Sequence, residues 1–211
     1  MILREARGLY VLIDPEHTRG REPEAVARAA LAGGCAVLQL RAKRLADGAR
    51  LALAERLCAL AHAAGVPFVM NDRADLALLS GADGLHLGQD DLPLAAARRL
   101  APGLTLGLST HSLAQALAGA RAGAELLGFG PVYPTRSKAL AEPVVGLEAL
   151  AAVVRGAGVP VIAIGGLTRD NAPEVARTGV RLGAVIGAVG EADDPEQAAR
   201  ALHAALGGRP L

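Results

Sequence analysis

Acidic residues follow two neighbouring apolar segments of the sequence, at the point where each segment ends. Asp72 closes the segment 67–72, and Asp90 and Asp91 follow the segment 84–88. Mg²⁺ prefers oxygen ligands, and one or two protein carboxylates commonly bind it together with substrate phosphate. A helix cap explains each acid singly, but it explains the pairing of Asp72 with one acid of the Asp90/Asp91 pair less well. We therefore predict a magnesium site.

Three polar residues alternate at the end of another apolar segment. Gln39, Arg41 and Lys43 point the same way if the chain stays extended, because alternate residues of a strand share a face. A solvated loop is the competing interpretation. However, Gln39 lies within an otherwise apolar strand, where an inward polar side chain needs a partner. The pattern favours a binding function for all three.

A basic segment later in the chain contains Thr135, Arg136, Ser137 and Lys138. Two hydroxyls, a guanidinium and an ammonium group can hold phosphate oxygens, and the segment is long enough to close over a ligand. Only two of the 22 Lys and Arg residues are lysines, Lys43 and Lys138, and both follow apolar segments. A site shaped for the compact ammonium group does not readily accept the planar guanidinium group.

These residues must be positioned by a repeated unit, because short apolar segments alternate with longer Ala/Leu-rich segments of helical spacing. Strands are predicted at 9–14, 37–41, 67–72, 84–88, 105–110, 126–133, 160–166 and 182–188. Helices are predicted near 23–32, 47–64, 73–80, 93–100, 112–122, 147–157, 169–178 and 194–206. Successive β/α units imply a parallel sheet buried on both faces. Their number and even spacing favour an α/β fold, a (β/α)8 TIM barrel forming one domain over 1–211, rather than an open doubly wound sheet.

The C-terminal ends of the strands form the active rim of such a barrel. Ser109 offers a hydroxyl at the end of strand 5, and glycines close strands 7 and 8 at Gly165, Gly166 and Gly187. Glycine permits close backbone approach, and barrels usually bind phosphate after these two strands. The sequence therefore predicts an enzyme whose rim binds phosphate-bearing substrates and a divalent metal.

Seven segments at the predicted strand ends resemble those of thiamine phosphate synthases, barrel enzymes that join a pyrimidine diphosphate to a thiazole phosphate and release pyrophosphate. The resemblance extends from Gly8 to the final helix. The segments are Q-L-R-A-K at 39–43, N-D at 71–72, H-L-G-Q-D-D at 86–91, G-L-S-T-H at 107–111, P-T-R-S-K at 134–138, A-I-G-G-L at 163–167 and V-I-G-A at 185–188. No single segment is specific, but their order and positions together are.

The resemblance implies a role for each matching residue. The residues implied to bind the pyrimidine diphosphate are Gln39, Arg41, Lys43, Asn71, Ser109 and Lys138. Those implied to contact the thiazole phosphate are Thr135, Ser137, Gly166, Ile186 and Gly187, and Arg136 of the same basic segment is a further substrate-binding candidate. Asp72 and Asp91 are implied to bind Mg²⁺, the expected cofactor. The catalytic roles are assigned to Arg41, Lys43, Ser109 and Lys138. The family commonly has a serine where this chain has Gly187, so a hydroxyl is missing from the implied thiazole phosphate pocket.

Two other functions stay open. A thiazole tautomerase, from a related group of barrels, would use a histidine at the position of His111. It resembles the synthase but lacks the Asn-Asp and Gln-x-Asp elements, both of which are present here. The second alternative is a non-catalytic barrel that binds a phosphorylated precursor, which would leave both acids and both lysines unexplained.

The composition limits the partners. A net charge of +1 with dispersed basic residues gives no electrostatic footprint for nucleic acid or for an anionic membrane. The sequence has no signal-peptide pattern and no uninterrupted apolar stretch of roughly 18 residues, which predicts a cytoplasmic protein with small-molecule substrates. Cys35 and Cys58 lack the spacing of a disulfide framework or zinc site and are predicted to be buried, reduced thiols. Assembly into a homo-oligomer stays open.

Overall fold

The computed structural model describes residues 3–135 and 143–208, and its strands form a closed parallel barrel in sequence order. The strands are β1 Gly8–Ile13, β2 Val37–Leu40, β3 Phe68–Asn71, β4 Gly84–Leu87, β5 Thr105–Thr110, β6 Leu126–Phe129, β7 Val161–Ile164 and β8 Leu182–Val185. Each strand pairs in parallel with its sequence neighbours, and β8 closes the ring on β1. The predicted (β/α)8 barrel is confirmed.

Helices connect the strands on the outside of the barrel. They are α1 Pro23–Ala32, α2 Asp47–Ala63, α3 Ala74–Leu79, α4 Leu94–Leu100, α5 Leu113–Arg121, α6 Gly146–Gly156, α7 Ala172–Arg177, α8 Gly187–Gly190 and α9 Pro195–Ala205. Short 3₁₀ turns occur at Leu3–Glu5 and Pro15–His17. Among the described residues, no helix is long and apolar enough to cross a membrane. Cys35 and Cys58 are buried and free, as predicted.

The alternation of residues along each strand divides the core into two parts. On β1, Leu9, Val11 and Ile13 pack outward against the helices, whereas Tyr10 and Leu12 face the barrel interior. Both faces of the sheet are buried, so the strands are largely apolar. The main exception is a set of polar side chains that enter the interior near the C-terminal rim. That exception places the site.

Glycines on the inner face make room for one of these polar side chains. A Cβ atom at Gly107 would lie 2.5 Å from His86 Nδ1, and one at Gly128 would lie 3.1 Å from His86 Cε1. The imidazole ring of β4 therefore fills the space in front of β5 and β6. The same ring also lines the cavity at the C-terminal rim.

The last three strands end earlier than predicted. Pro131 cannot donate a ladder hydrogen bond, and β6 ends two residues before it. Gly165 and Gly166 have φ values of +97° and +68°, outside the range of a strand, and β7 ends just before them. The segment predicted to complete β8 instead forms the short helix α8, whose N-cap residue is Ile186.

Candidate active site

A cavity of about 340 Å³ opens at the C-terminal rim and extends into the barrel. One wall is apolar and is formed by Leu12, Ile162, Ile164, Ala184 and Ile186. The polar lining residues are Tyr10, Gln39, Arg41, Lys43, Asn71, Asp72, His86, Gln89, Asp90, Asp91, Ser109 and His111. A planar molecule with one polar edge and a charged end matches this division of the wall.

Three inward side chains of β1, β2 and β3 form a hydrogen-bonded chain inside the cavity. The hydroxyl of Tyr10 donates to Gln39 Oε1 at 2.5 Å, and Gln39 Nε2 donates to Asn71 Oδ1 at 2.8 Å. Gln39 is buried, so these bonds provide the partner that the sequence argument required. Its predicted inward position is confirmed.

Arg41 follows β2 and forms a buried ion pair. Its Nη1 donates to Oδ2 of Asp14, which follows β1 and whose side chain is only 1% exposed. Asp14 also accepts the backbone N–H of Glu16, so its carboxylate is held by the turn after β1. The ion pair holds the guanidinium group at the rim. Its loss would be costly, because the buried Asp14 carboxylate and Arg41 would then lack a compensating charge.

Asp72 is held in a conformation uncommon for a residue other than glycine. Its φ is +64°, in the left-handed region that Asp tolerates better than most residues, and its N–H donates to His86 O at 2.9 Å. Lys43 Nζ lies 3.1 Å from Asp72 Oδ2. Burial and the adjacent Asp91 side chain raise the pKa of the Asp72 carboxyl group, while Lys43 acts in the opposite direction.

The turn after β4 brings Asp91 to Asp72. Gly88 N–H donates to Asp91 Oδ2 at 2.6 Å, and a Cβ atom at Gly88 would come within 2.9 Å of that oxygen. Two carboxylates from successive strands thus share one partly buried position and repel each other. Lys43 offsets only one of the two charges, so the donor set fits a hard divalent cation. No cluster of three or more His, Cys, Asp or Glu side chains suited to a metal occurs among the described residues, and two carboxylates suffice for Mg²⁺, which usually retains waters.

The end of β5 completes this side of the cavity. Ser109 Oγ lies 2.9 Å from His86 Nε2, and Gln89 Nε2 donates to Ser109 O at 2.6 Å. His111 Nδ1 donates to Gly130 O at 2.6 Å, which turns Nε2 of the ring away from the backbone. Ser109 is therefore oriented by an imidazole, and the turn containing Asp91 is tied to β5 through Gln89.

The residues predicted to bind the thiazole phosphate do not all line the cavity. Ile186 lines the cavity, whereas Thr135, Gly166 and Gly187 are not among its described lining residues. Arg136, Ser137 and Lys138 lie outside the described residues.

The glycines after β7 have a packing role at this edge. A Cβ atom at Gly166 would come within 2.5 Å of Pro134 O, and one at Gly165 within 2.5 Å of Pro131 Cβ. Their close approach to the segment after β6, together with positive φ, requires glycine at both positions.

Sequence reasoning missed Tyr10, Asp14 and Gln89. Asp14 carries a clear signal, because it is the last residue of the first predicted strand, and the strand-end criterion used elsewhere applies to it. Tyr10 carries a weaker one, since tyrosine is common in buried strands. Gln89 lies between the segment 84–88 and Asp90, but nothing in its spacing indicates a hydrogen bond to the neighbouring strand β5.

A closed (β/α)8 barrel with an acid pair, two basic side chains and a deep cavity at its C-terminal rim defines a barrel enzyme that acts on small molecules at that rim. Comparison with known proteins identifies the family. The family model described as thiamine monophosphate synthase matches residues 9–189. The chain belongs to this family and is a transferase.

Individual relatives agree. The chain is 49% identical to the thiamine-phosphate synthase of Anaeromyxobacter dehalogenans over 206 residues, which cover 96% of this chain and 90% of the relative. It is 44% identical to that of Chloroflexus aurantiacus, covering 93% of this chain and 91% of the relative. The solved structure of the thiamine phosphate pyrophosphorylase from Pyrococcus furiosus superposes with a TM-score of 0.89 at 36% identity, covering 97% of this chain and 98% of that one.

Proposed function

We propose that this chain condenses 4-amino-2-methyl-5-(diphosphooxymethyl)pyrimidine with 4-methyl-5-(2-phosphooxyethyl)thiazole, giving thiamine phosphate and pyrophosphate in a Mg²⁺-dependent reaction. The observation that carries the proposal is the position of the Asp72–Asp91 pair beside Lys43 at the mouth of a cavity with one polar and one apolar wall. Such a cavity accepts a polar-edged ring, and its mouth accepts a metal-bound diphosphate.

The pyrimidine ring would lie between the two walls. Leu12 and Ile162 would contact one face of the ring, and the amide groups of Gln39 and Asn71 would bind its polar edge. Because Gln39 and Asn71 are already hydrogen-bonded to each other, the edge of the ring meets donors and acceptors that are fixed before it binds.

The diphosphate would lie at the mouth of the cavity, with Mg²⁺ held by Asp72 and Asp91. When bound, Mg²⁺ would supply positive charge to the diphosphate oxygens and so favour their departure. Arg41, fixed by Asp14, and Lys43 would add two cations directed at the same oxygens. Lys138 is proposed as a further cation for this group.

The chemical step exchanges one bond for another. The C–O bond between the pyrimidine methylene and the diphosphate breaks, its electron pair leaves with pyrophosphate, and the methylene carries the positive charge. The thiazole nitrogen then donates its lone pair to form the C–N bond, which leaves the charge on the thiazolium ring. No proton is transferred in this attack, so the side chains need only orient the rings and stabilise charge. Ser109, oriented by His86, is proposed to contact the reacting end of the pyrimidine.

The thiazole phosphate would bind at the edge formed after β6, β7 and β8. The proposed contacts are Thr135, Arg136, Ser137, Gly166, Ile186 and Gly187. The short helix α8 follows β8, and barrels commonly bind phosphate at such a helix and at the loop after strand 7.

The position of His111 supports a thiazole tautomerase as a second candidate function. Its ring lines the cavity, and the hydrogen bond from Nδ1 to Gly130 O leaves Nε2 able to accept a proton. A tautomerase does not, however, explain why Asp72 and Asp91 converge. A non-catalytic binding protein leaves that convergence unexplained as well.

Incubation of the purified protein with both precursors and Mg²⁺ tests the proposal. Thiamine phosphate and pyrophosphate should appear in equal amounts, and EDTA should stop their formation until Mg²⁺ is returned. A parallel reaction with thiazole carboxylate phosphate alone tests the tautomerase. If a known synthase converts the same precursors under these conditions and this protein forms no product, the synthase proposal is wrong.

A further inference from the structure

Tyr10 lies at the inner end of the cavity and begins the hydrogen-bonded chain. Its hydroxyl donates to the oxygen of the Gln39 amide, and the nitrogen of that amide donates to the oxygen of Asn71, the last member of the chain. Tyr10 is 2% exposed and lies two residues before Leu12 on the inward face of β1.

The chain has a direction. Gln39 directs its Nε2 group at Asn71 Oδ1, so its Oε1 atom must face Tyr10 and needs a donor there. The tyrosine hydroxyl supplies this donor, and burial raises the pKa of Tyr10, which keeps the proton on its oxygen. Asn71 then has its oxygen committed to Gln39, and its Nδ2 group is the part of the amide that can donate to a ligand.

We propose that Tyr10 is a positioning residue that fixes Asn71 as a hydrogen-bond donor in the cavity and thereby selects a ring with an acceptor nitrogen at that edge. The identity of the ring as a pyrimidine rests on the proposed function. The positioning role rests on the two hydrogen bonds alone. A hydroxyl can also accept a hydrogen bond, but a reversed Gln39 amide would leave the buried Tyr10 O–H proton without the acceptor that Gln39 Oε1 provides. Without the hydroxyl that penalty disappears, and both amides can turn over.

The opposite wall supports selection at this edge. In a closed eight-stranded barrel, β2 and β3 lie across the interior from β6 and β7. Ile162 and Ile164 of β7 line that far side and offer only hydrocarbon. The polar contacts of a ring held between these walls therefore concentrate on the side of Gln39 and Asn71, so the direction of this chain decides which ring edge fits.

Tyr10→Phe removes one oxygen and keeps the ring that packs in the barrel. We expect KM for the pyrimidine diphosphate to rise about fivefold, the size of one neutral hydrogen bond. KM for the thiazole phosphate and the Mg²⁺ concentration for half-maximal activity should not change. Tyr133→Phe is the matched control, because it removes the only other tyrosine hydroxyl, which donates to Glu174 outside the cavity. It should leave KM for the pyrimidine diphosphate as it is in the wild type.

A substrate analogue separates positioning from simple packing. The wild type should bind 4-amino-2-methylpyrimidine more tightly than analogues in which one ring nitrogen at a time is replaced by C–H. For the nitrogen that faces Asn71, Tyr10→Phe should reduce this preference about fivefold. Gln39→Met interrupts the chain at its second member and should reduce the preference at least as much.

These measurements distinguish the two proposals. Calorimetric binding of the free rings needs no turnover, so it tests the role of Tyr10 even if the protein makes no thiamine phosphate. Unchanged ring preference in folded Tyr10→Phe and Gln39→Met would overturn the positioning role. A fall in melting temperature accompanied by equal losses for both substrates would also overturn it, because that result describes a packing residue.

Discussion

The rim of this barrel has two halves that are built differently. In the β1–β5 half, charged and amide side chains contact one another, through Arg41–Asp14, Lys43–Asp72 and the Tyr10 chain. In the β6–β8 half, the described cavity wall is glycine, alanine and isoleucine, and close backbone approach at Gly166 replaces side-chain contacts.

The difference reflects what each half is proposed to bind. A metal-bound diphosphate needs several charges held against their mutual repulsion, and only a network of partners can hold them in place before the substrate arrives. A single phosphate can be held by backbone N–H groups and by a segment that closes over it. The first half should therefore be sensitive to loss of charge, and the second to added volume.

The largest effect is expected at the acid pair. Asp72→Asn keeps a side chain that tolerates the left-handed backbone but removes its charge. Turnover should fall roughly 100-fold or more, and excess Mg²⁺ should restore only part of it. Asp91→Asn should behave similarly, whereas Asp90→Asn should have a smaller effect because Asp91 is the acid that contacts Asp72. Steady-state rates over a Mg²⁺ titration check this, and full activity of Asp72→Asn would identify Asp72 as a turn residue only.

The next effect is expected at Asp14. Asp14→Asn leaves the Arg41 guanidinium group without its buried counter-charge, which should lower the free energy of unfolding by about 3 kcal/mol and kcat/KM for the pyrimidine diphosphate about tenfold. Asp193→Asn is the control, since the Arg19–Asp193 pair is exposed and such pairs contribute little. Urea unfolding and initial rates measure both. Equal stability changes in the two variants would show that burial of the Arg41 pair has no special role.

A smaller effect is expected in the glycine-built half. Gly166→Ala should lower the free energy of unfolding by about 2 kcal/mol, because it combines an unfavourable φ with a clash against Pro134. KM for the thiazole phosphate should rise several-fold while KM for the pyrimidine diphosphate stays constant. Gly158→Ala has almost the same φ, +69°, but open space around its Cβ position, so it measures the backbone cost alone. If the free energy of unfolding falls equally in both variants, close packing at Gly166 contributes nothing to the stability of the fold.

The smallest effect is expected at Gly187, where the family commonly has serine. A Cβ atom there would lie 3.0 Å from Oε2 of Glu191, the end of a flexible side chain that can move. Gly187→Ser should lower KM for the thiazole phosphate about threefold by adding one hydrogen bond to the phosphate. Gly187→Ala adds the Cβ atom without the hydroxyl and should not lower KM for the thiazole phosphate. An equal decrease in both variants would rule out the hydroxyl as the cause.

Much of the first half could be predicted from the sequence. Asp72 and Asp91 converge as the strand ends indicated, and Gln39 faces inward with partners, because a parallel barrel brings all strand ends to one rim. Tyr10 was missed because its importance lies in a contact with Gln39, 29 residues away along the chain. Asp14 stands at a predicted strand end, but its pairing with Arg41, 27 residues away, leaves no pattern in the sequence. The basic segment 136–138 lies outside the described residues, and its role stays a prediction.

The sequence alone determined the fold class and indicated part of the polar lining of the rim, because repeated strand and helix periodicity leaves few ways to bury every strand and because residues at strand ends share one location. Only the tertiary structure decided which of these residues hold one another. The direction of the Tyr10 chain and the pairing of Arg41 with Asp14 depend on distances of a few ångströms between neighbouring strands. Such distances follow from strand register and from glycines that admit a neighbouring ring, and neither leaves a local pattern in the sequence.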